Sequence, residues 1–463
     1  MIALSRADVR RFRLAARRCA PNGRSRGPAP PVRLTADGGT VTLAANLGEV
    51  VIALRTTPPR PSNGSLTLPL TELEQLEGTG PGVVTLARAG RSAATARWED
   101  GPAPRTASIE CLTCELAWPE EPAHLIAMSP TFPAALHEAG RSAAREGTRY
   151  AGHRVQVRGK AGQLVGTDGK QALVHGGFTF PFTDDLLVPA VPVFGSKDLS
   201  TEQAVSVGLV DDWLFLVVGP WHVWLAVDRD GRFPDVVGAV PRACGIRVEF
   251  DDRDADTLMH SLRDLPGARE DCQPVTLDLG PLVAVRARDE RTGEVGEVPL
   301  AHTQFAGGPV RLVLNRAHLG RALALGFREF RCRAPDQPVV ARAGERLYLT
   351  ASLDPSGAVP PAGDALASAL PPTTTVSPAM PSPETPRSPT MPARDNPLPE
   401  RNGHAESPAD SIDLLVEAEA LRNALGEAVN RAARLVAALR VYRKERRALA
   451  SAFSSLRQLN LGP

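Results

Sequence analysis

Arg6, Arg10, Arg13 and Arg17 step by four, three and four, the spacing that lines side chains along one stripe of a helix. A guanidinium stripe suits binding to phosphates, and a solvated surface face is the alternative reading. Val9, Phe12, Ala16 and Cys19 form a second, apolar stripe that can dock on a sheet. Arg18, Arg24 and Arg26 extend the basic region, and Asp8 is the only acid before Ala36. Nine arginines in the first 33 residues favour phosphate contact over a plain solvated face.

Residues for bond-making chemistry are scarcer. The nine histidines include no HExxH, and neither GxSxG nor a Walker-type GxxxxGK[ST] occurs. Thr167-Asp168-Gly169-Lys170 is too short for a phosphate loop and reads as a turn between strands. Asp251, Asp252 and Asp254 suggest either a metal site or a solvated helix entry. Cys111 and Cys114 make a single CxxC with no second Cys/His pair nearby, and they read as ordinary thiols beside a strand. Six scattered cysteines do not suggest a disulfide framework. No catalytic residue, metal site or cofactor is therefore expected.

The elements that must hold these residues repeat. Amphipathic helices are predicted near Ser5–Cys19, Pro133–Ala144 and Asp254–Leu262, about one domain length apart. Each is followed by a strand leading into a second helix: Leu66–Pro69, Leu186–Pro189 and Arg311–Asn315. Trp213–Val217, a Gly219-Pro220 turn and Trp221–Val227 read as a hairpin. The expected class is α+β with three repeated domains, at 1–125, 126–243 and 244–354. Hydrophobic residues are 43% of the 463 and aromatics only 5%, so the cores must rest on Leu, Val and Ala. A formal net charge of +1 means that any nucleic-acid surface must come from local clustering.

After Asp354 the composition changes. Residues 355–408 are rich in Pro, Ser, Thr and Ala and read as a disordered linker. Residues 409–459 read as one coiled-coil helix, with Leu414, Ala418, Leu421, Leu425, Ala428, Ala432, Leu435 and Leu439 on a heptad seam. No apolar leader opens the chain and no stretch is long and apolar enough to span a bilayer, so a cytoplasmic protein without membrane contact is expected.

Several segments carry a resemblance. Asp230-Gly231-Arg232-Phe233-Pro234-Asp235, followed by Val240-Pro241, is similar to a pattern that closes the middle domain of bacterial DNA polymerase III beta subunits, the sliding clamps. Val165–Lys170 resembles that family's ATDG segment, and Thr148–Gly152 its TRPxLxG segment. Val313-Leu314-Asn315 with Leu319 is similar to its FNxxYL segment, Pro338-Val339-Val340 and Tyr348 to its last strands, and Thr42–Leu47 to its ATDLE strand. The resemblance covers the first three quarters of the chain.

It implies a homodimeric ring of three α+β clamp domains per subunit that encircles double-stranded DNA and confers processivity on a polymerase. It implies no catalytic site of its own. DNA contacts would fall on Arg6, Arg10, Arg13, Arg17 and Arg24, and on Arg149 and Tyr150. A pocket between the second and third domains would take short peptides of the polymerase and clamp loader. Its wall would include Thr167, Gly169, Lys170, Gln171, Ala172, Pro241, Asn315, His318, Pro338, Ala351, Ser352 and Leu353. Here the chain departs from the family: Lys170-Gln171 replaces HR, His318 replaces Tyr, and Ala351-Ser352-Leu353-Asp354 replaces MPMR. The alternative is a clamp-like scaffold that does not encircle DNA and associates through its C-terminal helix. The final Gln458-Leu459-Asn460-Leu461 resembles the start of a clamp-binding peptide without its aromatic, or is a frayed helix end.

Overall fold

The computed structural model describes residues 1–19, 29–113, 117–145, 150–200, 203–241, 243–270 and 272–361. Arg24, Arg149, Cys114, linker residues 362–408, the heptad segment 409–459 and the QLNL tail lie outside them.

The first arginine-rich segment folds as α1 (Arg6–Cys19). Val9, Phe12, Ala16 and Cys19 are buried on one face, as their spacing requires. Asp8 in the first turn and Arg17 and Arg18 in the last complement the helix dipole. The other α-helices among the described residues are α2 (Leu73–Leu76), α3 (Phe132–Ser142), α4 (Lys197–Ser200), α5 (Asp252–Ser261) and α6 (Arg316–Ala324). Asp251 caps α5 by accepting from the Arg253 N–H, and Asn315 caps α6 by accepting from the Ala317 and His318 N–H groups.

Among the described residues four antiparallel sheets carry these helices. The first has four strands in the order Ile2–Ser5, Val83–Arg88, Ala93–Asp100, Ala103–Glu110. The second has eight: Ser62–Pro69, Pro31–Gly38, Thr40–Asn46, Val50–Thr56, Trp221–Ala226, Trp213–Val218, Val205–Val210 and Ile126–Met128. The third has nine: Asp185–Pro189, Arg154–Arg158, Gln163–Thr167, Gln171–His175, Arg346–Thr350, Val339–Ala343, Glu329–Cys332, Ile246–Glu249 and Gln304–Ala306. The fourth has four: Val295–Pro299, Ala284–Arg288, Pro274–Leu279 and Val310–Asn315.

The two large sheets join successive repeats. Trp221–Ala226 of the second repeat pairs with Val50–Thr56 of the first, and Arg346–Thr350 of the third pairs with Gln171–His175 of the second. One apolar core runs through the first two repeats and includes Phe12, Leu43, Ile52, Phe132, Phe194 and Trp221. A second core belongs almost wholly to the third repeat, with Leu173 its one buried member from the second. Helix α3 lies so close on its sheet that a Cβ at Gly166 would sit 1.9 Å from the Ala139 carbonyl oxygen, which explains glycine there.

Composition misplaces the start of the linker. Residues 355–361 pack on the fourth sheet: Pro355–Gly357 forms a 3-10 turn capped by Asp354, Val359 is buried, and its N–H donates to Thr276 Oγ1 at 2.8 Å. A single apolar residue and one satisfied backbone donor hold a segment that its neighbours mark as disordered. Thr276 and Asp278 lie on the face opposite the core residues Val275, Leu277 and Leu279, so the segment crosses the helix-free face of that sheet.

Candidate functional site

The arginine stripe of α1 divides when its surroundings are added. Arg13 is buried and forms a bidentate pair with Glu77, Nε to Oε2 and Nη2 to Oε1, both at 2.6 Å. Its Nη1 also reaches Glu74 at 3.4 Å. The hydrogen bond to Glu77 is the main cause that raises its pKa above the ordinary arginine value. Arg6 donates from Nε to the Leu76 carbonyl at 3.2 Å and from Nη2 to the Glu77 carbonyl at 2.6 Å, and its guanidinium lies 5.4 Å from the Trp98 ring centre. Arg6 and Arg13 are thus engaged at the end of α2, and turning the buried bidentate pair to a phosphate would strand Glu77. Arg10 and Arg17 are exposed, as is Arg18, although Arg17 lies 3.7 Å from Glu74. Tyr150 is 45% exposed.

The described candidate peptide-pocket residues other than Pro241 gather at one end of the joint between the second and third repeats. Thr167–Lys170 is a tight turn: Thr167 Oγ1 donates to the Gln171 carbonyl at 2.6 Å, Gly169 N–H donates to Thr167 Oγ1, and Asp168 accepts from the Lys170 and Gln171 N–H groups. Gly169 has a φ of +84°, which only glycine adopts freely. Gln171 and Ala172 pair with Thr350 and Leu349, and the Ala351 N–H donates to the Lys170 carbonyl at 2.8 Å. Tyr348 donates its hydroxyl to Gln171 Oε1. His318 is buried with Nδ1 3.1 Å from Thr350 Oγ1, and burial is the leading cause that lowers its pKa. Ser352 bridges to Leu314 and donates to the Gln337 carbonyl at 2.6 Å, beside the half-buried Pro338. The Leu353 N–H donates to the Val313 carbonyl.

On the other face of this joint Val165, Ala172, Val174, Val236, Val340 and Leu349 form a small apolar cluster. Phe233 and Val240 of the Asp230–Pro241 segment pack against it. Pro241 lines a cavity of about 150 Å³ with Cys244, Arg331, Val340 and Arg342. The residues at the turn are largely bonded to one another, which explains why polar Gln171 and His318 are tolerated there.

The three aspartates near α5 have structural work. Asp251 caps the helix, Asp252 pairs with Arg328 at 2.7 Å, and Asp254 accepts from the His302 and Thr303 N–H groups and the Thr303 hydroxyl. Burial alone would raise the Asp254 pKa, but these hydrogen bonds outweigh it and lower it. Cys111 and Cys332 are buried, and burial pushes the Cys332 thiol up to about 11, the range of an inert thiol.

Sequence reasoning undervalued a group of arginines that only the fold assembles. Arg141, Arg263, Arg316 and Arg321, from α3, from just beyond α5 and from α6, line a cleft of about 630 Å³ with Glu138. Arg316 and Arg321 share α6 while Arg141 and Arg263 lie in separate segments, so spacing carries no signal for the four together.

Neither a protein-family model nor a curated protein sequence matches the chain. Its fold does match solved structures of bacterial DNA polymerase III beta subunits. The beta subunit of Pseudomonas aeruginosa superposes with a TM-score of 0.63 at 16% identity, over 76% of this chain and 99% of its own. That of Thermotoga maritima gives 0.63 at 13% over the same shares, and that of Borrelia burgdorferi gives 0.64 at 10% over 76% and 97%. The fold is therefore that of the sliding clamps, complete over nearly their whole length. Among the described residues no helix is long and apolar enough to cross a membrane.

Proposed function

We propose that this chain is a DNA sliding clamp, a processivity factor that encircles duplex DNA as a homodimer and tethers a polymerase. The observation that carries this reading is a complete clamp fold with two unfinished ends. Successive repeats are joined by continuous sheets, but among the described residues the first and fourth sheets have four strands each and end at the edges Ala103–Glu110 and Val295–Pro299. Pairing these edges between two copies would complete the series of joints and close a ring, which removes exposed strand edges that otherwise invite aggregation. In this reading the domain limits fall at 125 and 243, with the third domain running to 361.

In this reading the turn at Thr167–Ala172, with Pro241, Asn315, His318, Pro338 and Ala351–Leu353, forms the docking pocket for short peptides of polymerase and clamp-loader subunits. Arg10, and Arg17 beside Glu74, are the exposed members of the α1 stripe and face the DNA with Tyr150. Sliding demands contacts to phosphate without base readout. The loss of an apolar MPM wall at Ala351-Ser352-Leu353 and the capture of Arg6 and Arg13 by α2 favour the second reading, a clamp-like scaffold that does not encircle DNA.

Retention of the full chain on nicked circular DNA, after loading with a clamp loader, separates the two. A clamp stays on the circle through gel filtration and falls off when the circle is linearised. Equal retention on circular and linear DNA, or none on either, would reject topological encirclement.

A further inference from the structure

The helix-free face of the fourth sheet holds buried charge. Arg311, Asp278, Arg286 and Glu297 stand on its four neighbouring strands, Val310–Asn315, Pro274–Leu279, Ala284–Arg288 and Val295–Pro299. Their signs alternate from strand to strand. Arg311 lies opposite Asp278 in the register, and Arg286 opposite Glu297. Arg311 Nε donates to Asp278 Oδ2 at 3.4 Å, Arg286 Nη1 donates to the same oxygen, and Arg286 Nε donates to Glu297 Oε2. The adjacent Leu312, Leu277, Val285 and Val298 belong to the core on the opposite face. Arg286 is nevertheless 3% exposed, and Thr276, its partner in the register, 1%. Such burial requires a cover on this face.

Residues 355–361 form part of that cover. Asp354 accepts from the Ser356 N–H at 2.9 Å and starts the 3-10 turn. Pro355, Pro360 and Pro361 restrict the backbone, which lowers the entropy cost of holding so short a segment in place. Val359 is buried, and its N–H is bonded to the hydroxyl of Thr276. Pro355, Ala358 and Pro361 line a cleft of about 770 Å³ together with Asp278, Arg286, Glu297 and Arg311. The segment is thus seated beside the whole row of charges. The row ends at Glu297, on the edge strand of the sheet. Attraction between charges strengthens as water is excluded, and cross-strand pairs hold neighbouring strands in place.

We propose that residues 355–361 brace the open edge of the third repeat: by shielding the charge row they keep Val295–Pro299 ordered for pairing with a second copy. The pairing rests on the clamp reading above, and the ordering of the edge does not. Among the described residues this strand has a neighbour on one side alone, Ala284–Arg288. Its place therefore depends on that ladder and on the bond from Arg286 to Glu297. Loss of the brace lets water reach the row, weakens that bond and frees the edge.

The test is amide exchange read by mass spectrometry, with analytical ultracentrifugation, on the full chain. Val359→Asp puts a charge where the segment is buried, Thr276→Val removes the hydroxyl that holds it, and Val359→Ile keeps the apolar contact. The expected result is faster exchange at 295–299 in V359D, a smaller rise in T276V, and wild-type exchange in V359I. Exchange at 339–343, in the third sheet, should stay unchanged throughout. The dimer Kd should rise about tenfold in V359D. Faster exchange at 355–361, with 295–299 and the Kd as in wild type, overturns the brace and leaves the clamp reading standing. Faster exchange at 339–343 as well would mean that the segment holds the whole repeat, which rejects a brace specific to the edge. A wild type that is monomeric at every concentration overturns the ring, and exchange at 295–299 then decides the brace alone: a rise in V359D upholds it, and no change rejects it.

Discussion

At the first joint Val50–Thr56 pairs with Trp221–Ala226, and at the second Gln171–His175 pairs with Arg346–Thr350. On the sheet side the two joints are alike, but behind the sheets they differ. The first is filled by apolar side chains: Phe12 of α1 stacks with Trp221 at 6.5 Å, both are fully buried, and one core continues from repeat to repeat. Across that sheet Phe215 and Trp224 are covered by Trp118, and Trp224 Nε1 donates to the Glu120 carbonyl at 3.0 Å. At the second joint the helix side has an open basic cleft, bridged by Arg321 reaching the last turn of α3, and the third repeat's core takes only Leu173 from the second, while a small apolar cluster spans the joint on the other face. Apolar burial is non-directional and resists any separation of the surfaces. Hydrogen bonds to carbonyls are directional and exchange readily with water, with a net worth of about 1 kcal/mol each. The first joint is therefore the more resistant of the two to separation.

The largest expected effect is at the first joint. Trp221→Ala removes the ring shared by two repeats and should cost about 3–5 kcal/mol in urea unfolding of the full chain. A loss below about 1 kcal/mol would break the claim that this joint is a common core. Arg321→Ala at the second joint should cost less, about 1.5–3 kcal/mol for charged hydrogen bonds. Its signature is faster amide exchange at the end of α3 with the first joint unchanged. If protection at α3 is kept, Arg321 is not the latch.

The joints also differ in their response to acid. His222, paired opposite Ala53 in the first joint, is held at about 4, by burial first and then by Arg55, against 6.5 when free. The unfolded chain binds the proton more readily, so stability is full above pH 6.5 and is lost as pH falls from 6.5 toward 4. His318 at the second joint is also lowered, by burial, and acts in the same direction. The urea midpoint should fall between pH 7 and pH 4.5, and His222→Leu should flatten part of that fall. An H222L curve parallel to wild type would show that this histidine does not govern the first joint. The smallest effect should come from Ser352→Ala, which deletes the hydroxyl bond to Gln337 near the second joint and should cost about 1 kcal/mol. A cost equal to that of Trp221→Ala would mean that the second joint is as tightly built as the first.

Much of this architecture is legible in local pattern. The four–three spacing of Val9, Phe12, Ala16 and Cys19 predicts both α1 and its buried face, and the Trp213–Val227 hairpin forms in the strands Trp213–Val218 and Trp221–Ala226. Asn315 and Asp251 announce helix starts through side chains that reach only a few residues along the chain. Such features are determined by the sequence itself because their partners lie within one or two turns.

What the tertiary structure decided is the state of each charge. Arg13 and Arg10 are indistinguishable in the sequence pattern, yet Arg13 meets Glu77 from 64 residues away and Arg10 stays exposed. Glu138 and Arg321 are separated by 183 residues and meet only because the third sheet joins two repeats. Val359, in a run of residues whose composition signals disorder, is held by Thr276, 83 residues earlier. Periodicity reports which face of an element is apolar, since the hydrophobic effect acts on the element as a whole. Whether a given guanidinium is free depends on a single distant carboxylate within hydrogen-bond reach, and that pairing exists only once the chain has folded.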